Sequence, residues 1–425
     1  MRIAVHTFGC KLNQAESQEI IKKLIQQNYQ IVPIKEKANY YLINSCAVTA
    51  KAEKEFRQLI NQIKRREPKS FLIVTGCYLP QQNKKVDLWG KREELFNKIK
   101  KINTTMLHSV RVKNNEVNRI SKNFPNTADT RIINSITSLR TRSFIKIQDG
   151  CDKFCTYCLV PYLRGKPKSK PIKKIIQEIR EKERQGYQEV VLVGVDIGQY
   201  QSDGNLVHLV REILNKTNIP RLRLSSLWPT TITSELIDLF QNPRLCPHLH
   251  LSIQSGSNKI LRLMGRNYTK QDIGKIIKMA RRKIPNLNLT ADIIVGFPGE
   301  SEKEFQATYK FIKSIGFSKI HIFKYSARPL TAASRFPCQV PKLIQKKRSQ
   351  KLIKLGSQLN RKIRQKFIGH QLPVLFEQPK NGYWTGLTNN YLRVYTKSRE
   401  NLSNQIRRVR LEKIWQDGLN GTLVD

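Results

Sequence analysis

Three cysteines crowd into one short run, Cys151-Asp-Lys-Phe-Cys155-Thr-Tyr-Cys158. A loop with C-x3-C-x2-C spacing can aim three thiolates at three corners of one cubane, and iron–sulfur clusters are normally held by four. The fourth iron is then open to a small ligand that carries an amine and a carboxylate. A three-cysteine zinc site with a distant fourth ligand is the alternative, and the barrel setting inferred below disfavours it. Cys10, Cys46 and Cys77 stand far apart, yet each closes a strand-like run: AVHTFGC, YYLINSC and LIVTGC. In a parallel sheet such exits converge on one edge, where ligands bind in open α/β folds. A single buried cysteine is often just a small hydrophobe, whereas three at equivalent exits suit a second cluster. Cys246 and Cys338 fit neither set and read as structural.

The elements that must position these thiols are legible from periodicity. Strand patterns over 2–8, 40–44 and 71–74 alternate with helical patterns over 14–27 and 50–66, which predicts an N-terminal parallel α/β domain. Residues 111–142 turn polar and irregular, as in a linker. Six strand candidates follow, over 144–147, 189–193, 221–225, 250–253, 289–295 and 319–323. Separated by helical stretches, they predict a partial (β/α)6 barrel whose chemistry belongs at the C-terminal strand ends. The three-cysteine loop follows the first of these strands. Asp196, Gln254 and Asp292 lie at or near the ends of later ones and are candidates for holding a cofactor. Residues 341–368 read as a helical basic connector, with ten Lys and Arg and no acidic residue. Residues 369–425 alternate apolar and polar between turns and predict a small β-barrel. The expected domains are 1–112, 137–367 and 369–425.

The charge balance, 77 Lys and Arg against 32 Asp and Glu, leaves +45. A field of that sign attracts polyanions, nucleic acid first among them, although an AT-rich genome accounts for part of the Lys, Asn and Ile excess. No apolar stretch approaches the ~18 residues of a membrane helix, and no signal-peptide core is visible. Eight cysteines then imply a reducing compartment, the cytoplasm.

CDKFCTYC, with Tyr157 before its last cysteine, resembles the signature of the radical S-adenosylmethionine superfamily. The resemblance implies that Cys151, Cys155 and Cys158 hold a catalytic [4Fe–4S] cluster whose open iron binds the methionine amine and carboxylate. One electron then breaks the sulfonium bond and gives a 5′-deoxyadenosyl radical, with Tyr157 flanking the adenine. GCKLNQAES, INSCAVTAKAEKE, VTGCY, KIQDGCDKFCTYCLVPYLRG, IQSGSNKILRLMGRNYT and DIIVGFPGE extend the likeness. Together they resemble the methylthiotransferase family over nearly the whole chain, and the tail is similar to a TRAM domain, an RNA-binding module. The resemblance implies two [4Fe–4S] clusters, the second on Cys10, Cys46 and Cys77 as sulfur donor. It also implies S-adenosylmethionine, a tRNA substrate and an electron donor such as flavodoxin or ferredoxin, with neither DNA nor membrane as partner.

HTFGCKLNQ and IQSGS look most like the branch that adds a methylthio group to adenine C2 of threonylcarbamoyladenosine at tRNA position 37. The isopentenyladenosine branch, the branch modifying a ribosomal-protein aspartate and a non-catalytic iron–sulfur RNA-binding paralogue remain alternatives. Arg164 and Arg266 are the basic residues nearest the motifs and are expected to touch substrate. Tyr383, Trp384, Tyr391 and Tyr395 are candidates for stacking on bases, or for barrel core. The tail is expected to supply RNA affinity and no chemistry. One loop departs from the family pattern: after Tyr325-Ser-Ala-Arg328-Pro, where Gly-Thr-Pro is usual, this chain has Leu330-Thr-Ala332.

Overall fold

The computed structural model describes residues 1–46, 50–77, 85–90, 94–95 and 141–424. The expected domain limits at 112 and 137, and nearly all of the expected linker, lie outside them. The chain divides into two compact units, Met1–Leu139 and Arg140–Asp425.

In the first unit β1 (Arg2–Thr7), β2 (Gln30–Val32), β3 (Tyr40–Ser45), β4 (Phe71–Gly76) and β5 (Leu88–Trp89) form a sheet in the order β2-β1-β3-β4-β5. All its pairings are parallel. Every residue of β3 is buried, as expected of a central strand covered on both faces. Helix α1 (Lys11–Gln26) lays Ile20 and Leu24 against Ile3, Leu42 and Ile73. Helix α2 (Ala50–Arg66) lays Phe56, Ile60 and Ile63 on the opposite face. Both sets recur at helical spacing. Helix α1 begins at Lys11, not at 14 as periodicity suggested. Its first turn has Leu12 as its single apolar residue, too little to show a stripe, and is held by the Asn13 amide, which donates to Phe8 O at 2.9 Å and Ser45 O at 2.8 Å.

The second unit begins with β6 (Arg142–Lys146), so Arg142 belongs to a strand and not to the expected linker. The short antiparallel pair β7 (Gln148–Asp149) and β8 (Lys168–Ser169) brackets the three-cysteine loop and α3 (Val160–Arg164). Then come α4 (Ile172–Arg184), β9 (Glu189–Val193), α5 (Leu206–Lys216), β10 (Arg221–Leu224) and β11 (Ser226–Leu227). They are followed by α6 (Ser234–Asp238), β12 (His248–Gln254), α7 (Asn258–Leu263), α8 (Lys270–Lys283), β13 (Asn288–Val295), α9 (Glu302–Ile315) and β14 (Lys319–Lys324). The third barrel strand is split at Ser225: β10 pairs with β9, and β11 pairs with β12. The parallel series β6-β9-β10 and β11-β12-β13-β14 is the expected partial barrel. The basic segment expected as a connector is α10 (Lys342–Lys366). Its Leu352, Leu355 and Leu359 join the barrel's hydrophobic core, so it covers the last strand as an outer helix and exposes most of its cations on the other side, Arg348 being buried.

Strands β15 (Gln371–Lys380), β16 (Tyr383–Thr388), β17 (Arg393–Thr396), β18 (Ile406–Trp415) and β19 (Gly418–Leu423) close into a small barrel. Closure removes free strand edges. This barrel seats against the N-terminal ends of the core strands, opposite the cysteine loop. Arg221 donates to Leu387 O at 3.0 Å and to Pro373 O at 2.8 Å, and Asn288 Nδ2 donates to Asn390 O at 2.7 Å. Arg142 pairs with Glu377 at 3.0 Å. Tyr391 stacks on His248, with ring centroids 4.6 Å apart, and stands under the Arg223 guanidinium at 4.9 Å. The tail is therefore the floor of the core barrel, a structural role beside the RNA affinity expected of it.

Candidate active site at the strand ends

Gly150, at φ 72°, turns the chain into the cysteine loop. A Cβ there would stand 2.1 Å from Lys166 O, so only glycine lets the two limbs of the loop approach. Cys151 N donates to Gly165 O at 3.0 Å, and the Gln148 amide donates to Gly150 O at 2.8 Å. Asp149 clamps the entry, accepting from Arg164 at 2.9 Å and from Lys146 at 2.5 Å. Burial alone would raise its pKa, but these two cations hold it near 2. Farther along, Thr156 is tied to the rim: its N donates to Met264 O at 3.2 Å and its hydroxyl to Leu263 O at 2.8 Å.

The three thiols share one electrostatic environment. Burial pushes Cys158 up to about 12, with Cys155 and Cys151 adding to the rise and Arg266 opposing it. Cys151 is raised for the same first reason. Burial thus favours the protonated form of Cys151 and Cys158, and thiolate ligation must release those protons. Among the described residues no three His, Cys, Asp or Glu side chains gather around one ion position. A cubane asks for something else, one thiolate on each of three irons.

Arg266, 8% exposed, donates from Nη2 to the Tyr157 hydroxyl at 2.6 Å and lies 3.7 Å from the Trp228 ring centroid. Burial works against its charge, but Tyr157, Tyr268 and Cys155 hold it cationic. Its Nε and Nη1 make no hydrogen bond among the described residues. Arg164 is engaged by Asp149. Both arginines, expected at the substrate, are thus built into the loop's support.

Of the other candidates, Asp196 and Gln254 stand at strand exits and Asp292 lies inside β13. Asp196 is buried; Oδ1 accepts from Gly198 N at 3.2 Å, and Oδ2 pairs with Lys153 of the cysteine loop at 2.7 Å. Gln254 closes β12 at φ 68°, beyond a register shift in the β12–β13 pairing. A non-glycine residue held there stores strain of the kind that collects at functional sites. Asp292 accepts from His250 Nε2 at 3.1 Å. Leu330, which replaces the family's usual glycine, sits at φ 70° with its side chain exposed. The loop keeps the backbone that glycine favours and bears the steric cost.

In the first unit Cys10, Cys46 and Cys77 follow β1, β3 and β4, three adjacent parallel strands, all at their C-terminal ends. Gly9, at φ 100°, passes so close that a Cβ would lie 2.8 Å from Cys46 Sγ. Gly76, at φ 102°, would put a Cβ 2.3 Å from Ser45 O. Both glycines let neighbouring exits crowd together. Asn13 and Asn44 lock them further, the Asn44 amide donating to Asn13 O at 2.9 Å.

Family comparisons agree with this geometry. The model of the radical SAM superfamily matches residues 145–312, and that of uncharacterized protein family UPF0004 matches residues 2–97. The threonylcarbamoyladenosine tRNA methylthiotransferase MtaB of Aquifex aeolicus is 33% identical over 96% of this chain and 99% of its own length. That of Thermotoga maritima is 34% identical over 98% and 96%. The chain belongs to the methylthiotransferase family. It is a radical SAM transferase, and membership brings a [4Fe–4S] cluster and S-adenosylmethionine. The tRNA-2-methylthio-N(6)-dimethylallyladenosine synthase of Thermotoga petrophila is also similar, 31% identical over 100% of this chain and 97% of its own. For the fold, the radical S-adenosylmethionine methyltransferase TsrM of Kitasatospora setae superposes with a TM-score of 0.53 at 12% identity, covering 89% of this chain and 79% of that one.

The residues of this methylthiotransferase fit that cofactor pair. The loop offers three sulfur donors, the soft set that clusters take, and the two unpaired N–H groups of Arg266 suit a carboxylate. Trp228 and the exposed pair Phe154 and Tyr162, ring centroids 5.7 Å apart, escaped the sequence reading. The only local signal was an aromatic directly before Pro229 and two more beside the cysteines.

Glu300, in the segment GFPGE, locks the turn after β13: its carboxylate accepts from Gly296 N and, at 3.3 Å, from Arg348 of α10. Burial outweighs Arg348 and pushes it up to about 7, from an ordinary 4.5. A raised carboxyl pKa stabilises the fold fully below about 4.5, and that contribution is lost as pH rises through about 7. Glu300→Gln should therefore flatten the fall in melting temperature between these pH values. An unchanged slope would show that this carboxyl does not titrate there.

Proposed function

We propose that this methylthiotransferase converts N6-threonylcarbamoyladenosine at position 37 of tRNA to its 2-methylthio derivative, in the cytoplasm. The observation that carries the reading is full-length likeness to four MtaB enzymes at 32–35% identity, against 30–31% for the dimethylallyladenosine synthases. The latter support a second reading, the isopentenyladenosine substrate.

Adenine C2 offers neither an acidic proton nor a leaving group, so acid–base catalysis has little purchase on it. When bound, the cluster and S-adenosylmethionine supply the one-electron chemistry that abstracts its hydrogen. Cys151, Cys155 and Cys158 would hold that cluster, on a loop fixed by Asp149, Arg164 and Arg266. Arg266 would orient the methionine carboxylate and keep Tyr157 in place, while Asp196, Gln254 and Asp292 would line the rest of the cofactor. Cys10, Cys46 and Cys77 would hold a second [4Fe–4S] cluster as the sulfur donor. Their all-sulfur donor set at three adjacent strand exits supports this. A flavodoxin or ferredoxin would deliver the electron.

For RNA, Tyr395 is buried and the half-buried Tyr391 is already stacked on His248, so neither suits base stacking, whereas Tyr383 and Trp415 lie part-exposed, 5.9 Å apart. Lys397 and Lys413 stand 5.5 Å and 5.7 Å from these two rings. Such a cationic aromatic patch supports base stacking and phosphate attraction.

The test is mass analysis of tRNA nucleosides with and without the gene. Loss of the 2-methylthio-threonylcarbamoyl nucleoside is expected, with its unthiolated precursor accumulating. Loss of the dimethylallyl counterpart would establish the second reading instead.

A further inference from the structure

Inside the core barrel a line of polar side chains runs from floor to rim. Tyr391, on the turn between β16 and β17, stacks on His248 with rings inclined by 12°. His248 Nε2 lies 2.9 Å from Thr290 Oγ1, and the same oxygen lies 2.7 Å from His250 Nδ1. His250 Nε2 then lies 3.1 Å from Asp292 Oδ2. His248 and His250 come from β12, Thr290 and Asp292 from β13, and His250 pairs with Thr290 in register. The strand period of two brings all four onto one face. Beside them, from β14, the His321 ring meets His250 edge-on at 5.4 Å.

Donor arithmetic gives the line a direction. A carboxylate only accepts, so His250 Nε2 carries a proton. With His250 neutral, Nδ1 must accept, and the sole hydroxyl proton of Thr290 serves it. Thr290 oxygen is then left to accept from His248 Nε2–H. With both rings neutral, the carboxylate fixes the tautomer of each ring and the direction of the hydroxyl, and the stacked Tyr391 fixes the plane of the first ring.

We infer that Tyr391, His248, Thr290 and His250 are positioning residues that hold the Asp292 carboxylate for S-adenosylmethionine, so that the C-terminal barrel sets cofactor geometry through the core. The inference rests on the reading of Asp292 as a cofactor contact. It gives the tail a function independent of RNA.

The test uses full-length, anaerobically cluster-loaded protein and measures S-adenosylmethionine binding by equilibrium dialysis, with 5′-deoxyadenosine release at saturation. Thr290→Val keeps the shape and removes the hydroxyl; it should weaken binding about fivefold, the effect of one lost hydrogen bond. Saturated turnover should change less than about twofold, since no reacting atom is touched. Thr290→Ser should restore binding, and Tyr391→Leu should weaken it from the other end without altering tRNA affinity. Asp292→Asn separates the two ways of failing. If it weakens binding while Thr290→Val and Tyr391→Leu bind normally, the relay is overturned. If Asp292→Asn itself binds normally, the reading of Asp292 falls and the inference with it.

Discussion

Replacing Cys10, Cys46 and Cys77 together with Ala is expected to leave S-adenosylmethionine cleavage intact and to abolish methylthio transfer. The three thiols lie in the first compact unit, whereas Cys151, Cys155 and Cys158, with their supporting arginines, lie wholly in the second. Nothing that holds the second set passes through the first among the described contacts. The substitutions are small, and the strands they follow are pinned by backbone pairing and by Asn13 and Asn44, so the unit should stay folded. Reductive release of 5′-deoxyadenosine should proceed at the unaltered rate while tRNA leaves without a methylthio group. The reciprocal Cys151, Cys155 and Cys158 variant should lose cleavage altogether and about half the iron, as expected if clusters of equal size occupy both sets. Normal thiomethylation by the first variant would make its cysteines structural. Loss of all iron in the second would mean that the two sets are not separate sites.

Removal of residues 369–425 is expected to reduce cleavage more than tenfold at 37 °C and to lower the melting temperature. The floor bonds from Arg221, Asn288 and Arg142 number four. At about 1 kcal/mol each they make roughly 4 kcal/mol, a large part of the 5–15 kcal/mol that holds a domain together. Truncation would also wet the buried pair of Glu189 and Arg223, bonded at 2.7 Å. The sequence alone suggested that the tail serves RNA affinity and leaves chemistry untouched. Cleavage and melting unchanged by truncation would restore that view.

What could be read from the sequence was local. Cysteine type and spacing located both thiol sets, because ligation chemistry needs few residues close together or at equivalent strand exits. Strand and helix periodicity gave the α/β unit, the partial barrel and the closed tail. Edge strands β2 and β5, three and two residues long, are too short to show a period. What could not be read depends on partners far along the chain. Arg164 and Arg266 read as substrate contacts because nothing nearby in sequence announces Asp149 as a clamp or Tyr157 and Trp228 as a cage. Tyr391 read as either a base-stacking or a barrel-core residue because its partners, Arg142, Arg223 and His248, stand on three strands far back along the chain. The same blindness hid the packing role of α10, read as a helical basic connector, whose run of Lys and Arg obscured a leucine stripe.

The floor also fixes an order of events during synthesis. Arg142, on the first barrel strand, pairs with Glu377, 235 residues later. At bacterial and eukaryotic elongation rates of roughly 5–20 residues per second, its partner arrives on the order of ten to fifty seconds after it. Through that interval the strand ends that carry Arg142, Glu189 and Arg221 face water. The core barrel therefore stays open at its floor until strands β15 to β19 have been made and have closed beneath it.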